Sequence, residues 1–83
     1  MEEKVKQIIA LIDMVISDTT VPKNIRKAAT GAKEKLMTAE ELNVRATAAI
    51  YALDEVAEDI NMPMHARTQI WSIISALETA KTE

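Results

Sequence analysis

The sequence predicts an all-α domain, a four-helix up-and-down bundle built from two similar helical hairpins. Three observations carry that expectation. Apolar residues return at helical spacing, with no sustained alternation of the strand type. Caps and prolines cut the chain into four segments of similar length. The two halves of the chain also align with each other.

The first stripe is Val5, Ile8, Ile9, Ile12, Val15 and Ile16, which keep the i, i+3, i+4 spacing of one helix face. A second, of smaller side chains, is Ile25, Ala28, Ala29, Ala32 and Leu36. A third is Leu42, Ala46, Ala49, Ile50, Leu53, Val56 and Ala57, and a fourth Ala66, Ile70, Ile73, Ile74 and Leu77. Thr20 and Asn61 are candidate N-caps, because a short side-chain oxygen can accept from a free first-turn amide. Each is followed two residues on by a proline, Pro22 and Pro63, which a first turn tolerates. Thr38 with Glu41 matches a capping box. Helices are therefore expected over 3–17, 21–37, 39–59 and 62–80 of a single domain, 1–83, with short connections that make neighbours antiparallel. Gly31, inside the second helix beside Ala28 and Ala32, fits a close helix crossing, or else a backbone contact with a partner.

Residues 9–39 slide onto 50–80 at an offset of 41 with nine identities in 31 positions. Among them are Asp13 with Asp54, Asp18 with Asp59, Pro22 with Pro63 and Arg26 with Arg67. The phrase D-T-T-V-P-K-N-I-R thus returns as D-I-N-M-P-M-H-A-R. A period of this size lies in the HEAT range, and V-P-K-N-I-R-K-A-A is similar in texture to HEAT helices. A solenoid needs about three repeats to cover its faces, so two hairpins are expected to close on each other instead.

Composition removes several chemistries. The chain has no cysteine, so it has no disulfide, thiolate metal site or thiol nucleophile. Apolar residues make up 48% and charged residues 28%, which suits a folded, soluble, cytoplasmic domain rather than a disordered one. No apolar run is long enough to span a membrane, and the N-terminal residues do not read as a signal peptide. A net charge of −3 disfavours indiscriminate binding to nucleic acid or anionic membranes. With one glycine there is no phosphate-cradling loop, and with one histidine, His65, no metal or cofactor site is expected. The Glu-x-x-His pattern of carboxylate-bridged bundles is absent, since Met62 stands three residues before His65. His65, in a first helical turn with Asp59 the nearest acid in sequence, can be a general base or a surface or capping residue. The sequence therefore reads as that of a non-enzyme.

Three surface features are candidates for function. The only aromatics, Tyr51 and Trp71, fall off their main stripes, Tyr51 in line with Val44 and Trp71 with Met64. Tyr, Trp and Met are enriched where partners dock, so these four residues are a candidate surface for a protein partner or a second copy. The flank of a broad core arc is the competing reading, and the favoured one. Lys23, Arg26, Lys27 and Lys33 give the second helix a basic side that could follow a nucleic-acid backbone, which makes an RNA or ribonucleoprotein accessory protein the alternative reading. Acidic residues late in the third helix oppose its dipole, as do cations early in a helix. Asp13, Asp18, Asp54 and Asp59 are accordingly expected to form structural ion pairs with Arg26 and Arg67 that lock the turns.

Over nearly its whole length, through D-T-T-V-P-K-N-I-R-K-A-A-T, N-V-R-A-T-A-A-I-Y-A-L-D-E-V-A and M-P-M-H-A-R-T-Q-I-W-S-I-I-S-A-L-E, the chain resembles a small archaeal family of uncharacterised proteins, family 0147. The resemblance implies a bromodomain-like up-and-down bundle and assigns no activity or functional residue.

Overall fold

A computed structural model describes residues 2–82. Four helices follow in order: α1 (Glu3–Ser17), α2 (Lys23–Leu36), α3 (Leu42–Asp54) and α4 (Met64–Lys81). Among the described residues there is no strand. Each helix packs on its neighbours in sequence, α4 closes against α1, and the backbones of the diagonal pairs stay farther apart. Contacts at the two ends fix the directions. The start of α3 reaches both the end of α2 and Glu2, just before α1. The start of α4 meets Asp18 at the end of α1. The helices therefore run up and down, in a body 33 × 19 × 16 Å.

The four apolar stripes meet along the axis. Val5, Ile12, Val15, Ile25, Leu36, Leu53, Ile70 and Leu77 are among the fully enclosed side chains. The core mixes larger and smaller aliphatic side chains. Ile25, Ala29 and Ala32 of α2 occupy positions whose counterparts 41 residues on, in α4, are Ala66, Ile70 and Ile73, all buried. A core without Phe is filled by aliphatic side chains of different volumes rather than by large rings.

The helix boundaries move for physical reasons. Thr20 and Asn61 do not cap α2 and α4; the residues before those helices are Pro22 and Pro63, both extended, with ψ of 150°. A proline pushes the residue before it out of the helical region, so Val21 and Met62 cannot open their helices; each helix starts two residues later than expected, at Lys23 and Met64, and Val21 and Met62 are buried ahead of it. The side chains that close these turns are Asp18 and Asp59. Thr20 N–H donates to Asp18 Oδ1 at 2.9 Å, and Asn61 N–H to Asp59 Oδ1 at 2.8 Å. These are Asx turns, in which a carboxylate mimics the backbone.

The expected capping box at Thr38 does not form. Thr38 Oγ1 donates instead to Lys35 O at 3.2 Å, serving the end of α2, and α3 begins only at Leu42. At its other end α3 stops at Asp54 rather than running to 59. Val56 N–H to Leu53 O and Asp59 N–H to Val56 O then make tighter three-residue turns. Asp54, Glu55, Glu58 and Asp59 crowd that end with negative charge against the dipole, while Ala57 and Met62 keep the segment seated on the core. Gly31 does not mark a close crossing, because a Cβ built on it meets nothing within 4 Å.

Candidate functional site

Both aromatics reach solvent rather than forming a buried flank of the core. Tyr51 is 68% exposed, Trp71 42%, Val44 49% and Met64 77%. The physical reason is helix register. The buried residues of α3 are Arg45, Ala46, Ala49, Ile50 and Leu53, and this arc leaves Val44 and Tyr51 on the opposite side. Trp71 follows Ile70 by one position and is turned away from the axis by a helix step of about 100°. The two rings line separate shallow depressions. Trp71 lies with Arg67, Thr68, Ser72 and Ser75, and Tyr51 with Lys35, Ala48 and Glu55. Each ring thus offers an apolar body within a polar rim, an arrangement suited to a partner rather than to a core. Ile60, 89% exposed in the turn before α4, was not singled out from the sequence. Its counterpart in the first half is Thr19, so the internal alignment gave no apolar signal there.

The basic side is less available than the helix spacing suggests. Lys33 Nζ pairs with Asp13 of α1 at 2.9 Å. Arg26 Nε donates to Val21 O at 3.0 Å. Lys23 and Lys27 remain exposed.

The arginines and aspartates of the repeated phrase do not pair with each other in direct contact. Arg26 and Arg67 donate to backbone carbonyls, Arg67 Nη2 reaching Asp59 O at 3.0 Å. Both accepting carbonyls, Val21 O and Asp59 O, precede the proline of their turn, and each guanidinium reaches back to one of them. The carboxylates find other donors. Asp13 takes Lys33, and Asp59 takes Asn24 Nδ2 at 3.0 Å. Asp18 takes His65 Nε2 at 2.8 Å and the Thr20 hydroxyl at 2.6 Å. Asp54 is exposed at the end of α3, with Tyr51 and Glu55 beside it.

These partners set the titration of the turn. The Thr20 hydroxyl above all, then His65 and the Thr20 amide, hold the Asp18 carboxyl down at about 2. Asp59 is also lowered, first by the Asn61 amide and then by Asn24. Asp18, and not Asp59, is the acid that meets His65. The arrangement is no catalytic relay. The same nitrogen, Nε2, faces the carboxylate at 2.8 Å and the hydroxyl only at 3.4 Å, and that hydroxyl is bonded to the carboxylate. A relay needs the hydroxyl to be deprotonated and the orienting acid on opposite nitrogens of the ring. Among the described residues no three His, Asp or Glu converge as metal ligands.

Sequence reasoning also missed Arg45. It is buried, 8% exposed, at the opposite end of the bundle. Its Nε donates to Glu40 O at 2.8 Å, Nη1 to Leu36 O at 3.0 Å, and Nη2 meets Glu2 Oε2 at 3.3 Å. One side chain thus holds the α2–α3 connection and ties it to the start of α1. The available signal was its position between Leu42 and Ala46, on the apolar arc of its own helix.

Comparison with known proteins follows the same architecture. The model of an uncharacterised protein family, UPF0147, matches residues 1–80. A UPF0147 protein of Methanocaldococcus jannaschii is 53% identical over 81 residues, covering 96% of this chain and 87% of that protein. One from Archaeoglobus fulgidus is 41% identical over 78 residues, covering 94% and 90%. Two crystal structures superpose closely. That of the unknown-function protein MMP1188 has a TM-score of 0.90 at 51% identity, over 93% of this chain and 89% of that one. That of a UPF0147 protein from Thermoplasma acidophilum has a TM-score of 0.87 at 41% identity, over 93% and 92%.

Proposed function

The chain belongs to the uncharacterised protein family UPF0147, and from that premise we propose that it works without catalysis, as a small interaction module that meets a protein partner, or a second copy of itself, through the Tyr51 and Trp71 side. One observation carries the reading. The only two aromatic side chains of the chain lie outside the core and reach solvent, Tyr51 more than Trp71, in a domain whose core is built from Ala, Ile, Leu, Val and Met62. An aromatic left outside the core costs hydration that docking would recover. Val44 and Met64 extend the same apolar character along α3 and α4. The direct Asp18 to His65 contact on a shared nitrogen supports a structural rather than a catalytic histidine.

The reading includes an internal doubling of one hairpin pattern, a bromodomain-like arrangement of the helices and a cytoplasmic location. No helix among the described residues is long and apolar enough to cross a membrane. Nucleic acid bound by the basic side of α2 is the weaker alternative, because Lys33 and Arg26 already have partners within the domain.

The test is capture from native lysate with and without nuclease, alongside sedimentation equilibrium of the purified protein. Tyr51→Ala with Trp71→Ala is expected to abolish the captured partner or the concentration-dependent mass while leaving the thermal midpoint in place. Binding lost to nuclease, or to Lys23→Glu with Lys27→Glu, would replace this reading with the nucleic-acid one.

A further inference from the structure

At the offset of 41, Asp18 falls on Asp59 and Asn24 falls on His65. The structure joins these four residues crosswise. Asn24 Nδ2 donates to Asp59 Oδ2 at 3.0 Å, and His65 Nε2 meets Asp18 Oδ2 at 2.8 Å. The other oxygen of each carboxylate accepts from the backbone two residues on, that of Asp18 taking the Thr20 hydroxyl as well. Oδ1 of Asp18 accepts from Thr20 N–H and Oδ1 of Asp59 from Asn61 N–H. Each aspartate therefore closes its own turn with one oxygen and holds the second residue of a helix from the other hairpin with the other. Contacts in which residue i meets j′ while i′ meets j are the signature of an isologous, two-fold interface. The core repeats the relation. The buried positions Ile25, Ala29, Ala32 and Leu36 of α2 all have buried counterparts in Ala66, Ile70, Ile73 and Leu77 of α4.

We infer that the α1–α2 hairpin and the α3–α4 hairpin are mutual docking partners related by a pseudo-two-fold axis, and that Asn24 and His65 are equivalent donors of one reciprocal clasp across the end of the bundle. The partner that each hairpin's inner face fits is a hairpin of the same construction. His65 is then a positioning residue whose work an amide can do, although the imidazole stands in its place. This inference does not depend on the aromatic surface.

The test exchanges the donors. An amide is shorter than an imidazole. Asparagine at position 65 reaches Asp18 only if the backbone there stands as it does between Asn24 and Asp59. His65→Asn is expected to melt within about 2 °C of the parent, whereas His65→Ala and Asn24→Ala each lose about 4 °C or more, the loss of one hydrogen bond in a chain of this size. Both side chains are exposed, so the core persists in every variant. Carboxyl-detected NMR supplies a second readout. The Asp18 titration stays low in His65→Asn and moves toward the ordinary aspartate range in His65→Ala. Asparagine at 65 that matches alanine in both measurements, or an Asp59 titration unmoved by Asn24→Ala, would overturn the inference.

Discussion

Replacing Arg45 by alanine tests the account of how the two hairpins are joined. The guanidinium donates to Leu36 O at 3.0 Å and to Glu40 O at 2.8 Å, in a side chain 8% exposed. Leu36 is wholly enclosed, so its carbonyl loses its charged donor without ready access to water, at about 2 kcal/mol. Glu40 is exposed, and water can take over there, which limits that loss to about 0.5–1 kcal/mol. The buried aliphatic stem adds about 1 kcal/mol of lost packing. The sum is about 3.5–4 kcal/mol. For a chain this size the unfolding entropy is about 0.17 kcal/mol/K, so the midpoint should fall by about 20 °C. Circular dichroism melts and urea titration read both quantities. Arg45→Met retains the stem and should recover only the packing part, and Arg45→Lys should recover one of the two bonds. Glu2→Gln should move the midpoint by only a small fraction of the alanine loss, because Glu2 is half exposed and its contact is 3.3 Å. An alanine variant that melts within about 5 °C of the parent would refute the argument. So would a Glu2→Gln variant as unstable as Arg45→Ala, since the ion pair would then outweigh the carbonyl bonds.

Two further outcomes follow from the turns and from α2. Gly31→Ala should stabilise the fold by about 1 kcal/mol, read as a higher midpoint in a thermal melt, since the site is helical and a Cβ there meets open space. A lower midpoint would show that the backbone at Gly31 is in close contact after all. Acid should weaken the fold through Asp18. Its folded pKa, about 2, lies below the ordinary value of 3.8, so its contribution is fully present above about pH 4 and is lost as pH falls toward 2. Urea midpoints measured from pH 5 to pH 2 should drop less steeply in Asp18→Asn than in the parent, and parallel curves would contradict the assignment.

The helical period was legible because it is local. Val5, Ile8, Ile12 and Val15, or Ile70, Ile73, Ile74 and Leu77, state their own face through spacing alone, and these residues are the ones the core encloses. The prolines were legible for the same reason, since each constrains its immediate neighbour whatever lies elsewhere. Capping was less so. Thr38 and Glu41 satisfy the pattern of a capping box, but the Thr38 hydroxyl serves Lys35 O at the end of α2 and α3 begins only at Leu42, beyond both. Tyr51 and Trp71 could be placed off their stripes from sequence, yet a residue beside a stripe is buried or exposed according to where the adjacent helix sits.

Pattern and punctuation alone therefore determined four helices, their order and the apolar arc of each, because those properties depend on residues within one or two turns. Which donor meets which carboxylate was decided only when the helices came together. His65 reached past Asp59 to Asp18, 47 positions away, and Asn24 reached Asp59, 35 positions away. Polar partners of that kind depend on the register of one helix against another, and register is a property of the packed core as a whole.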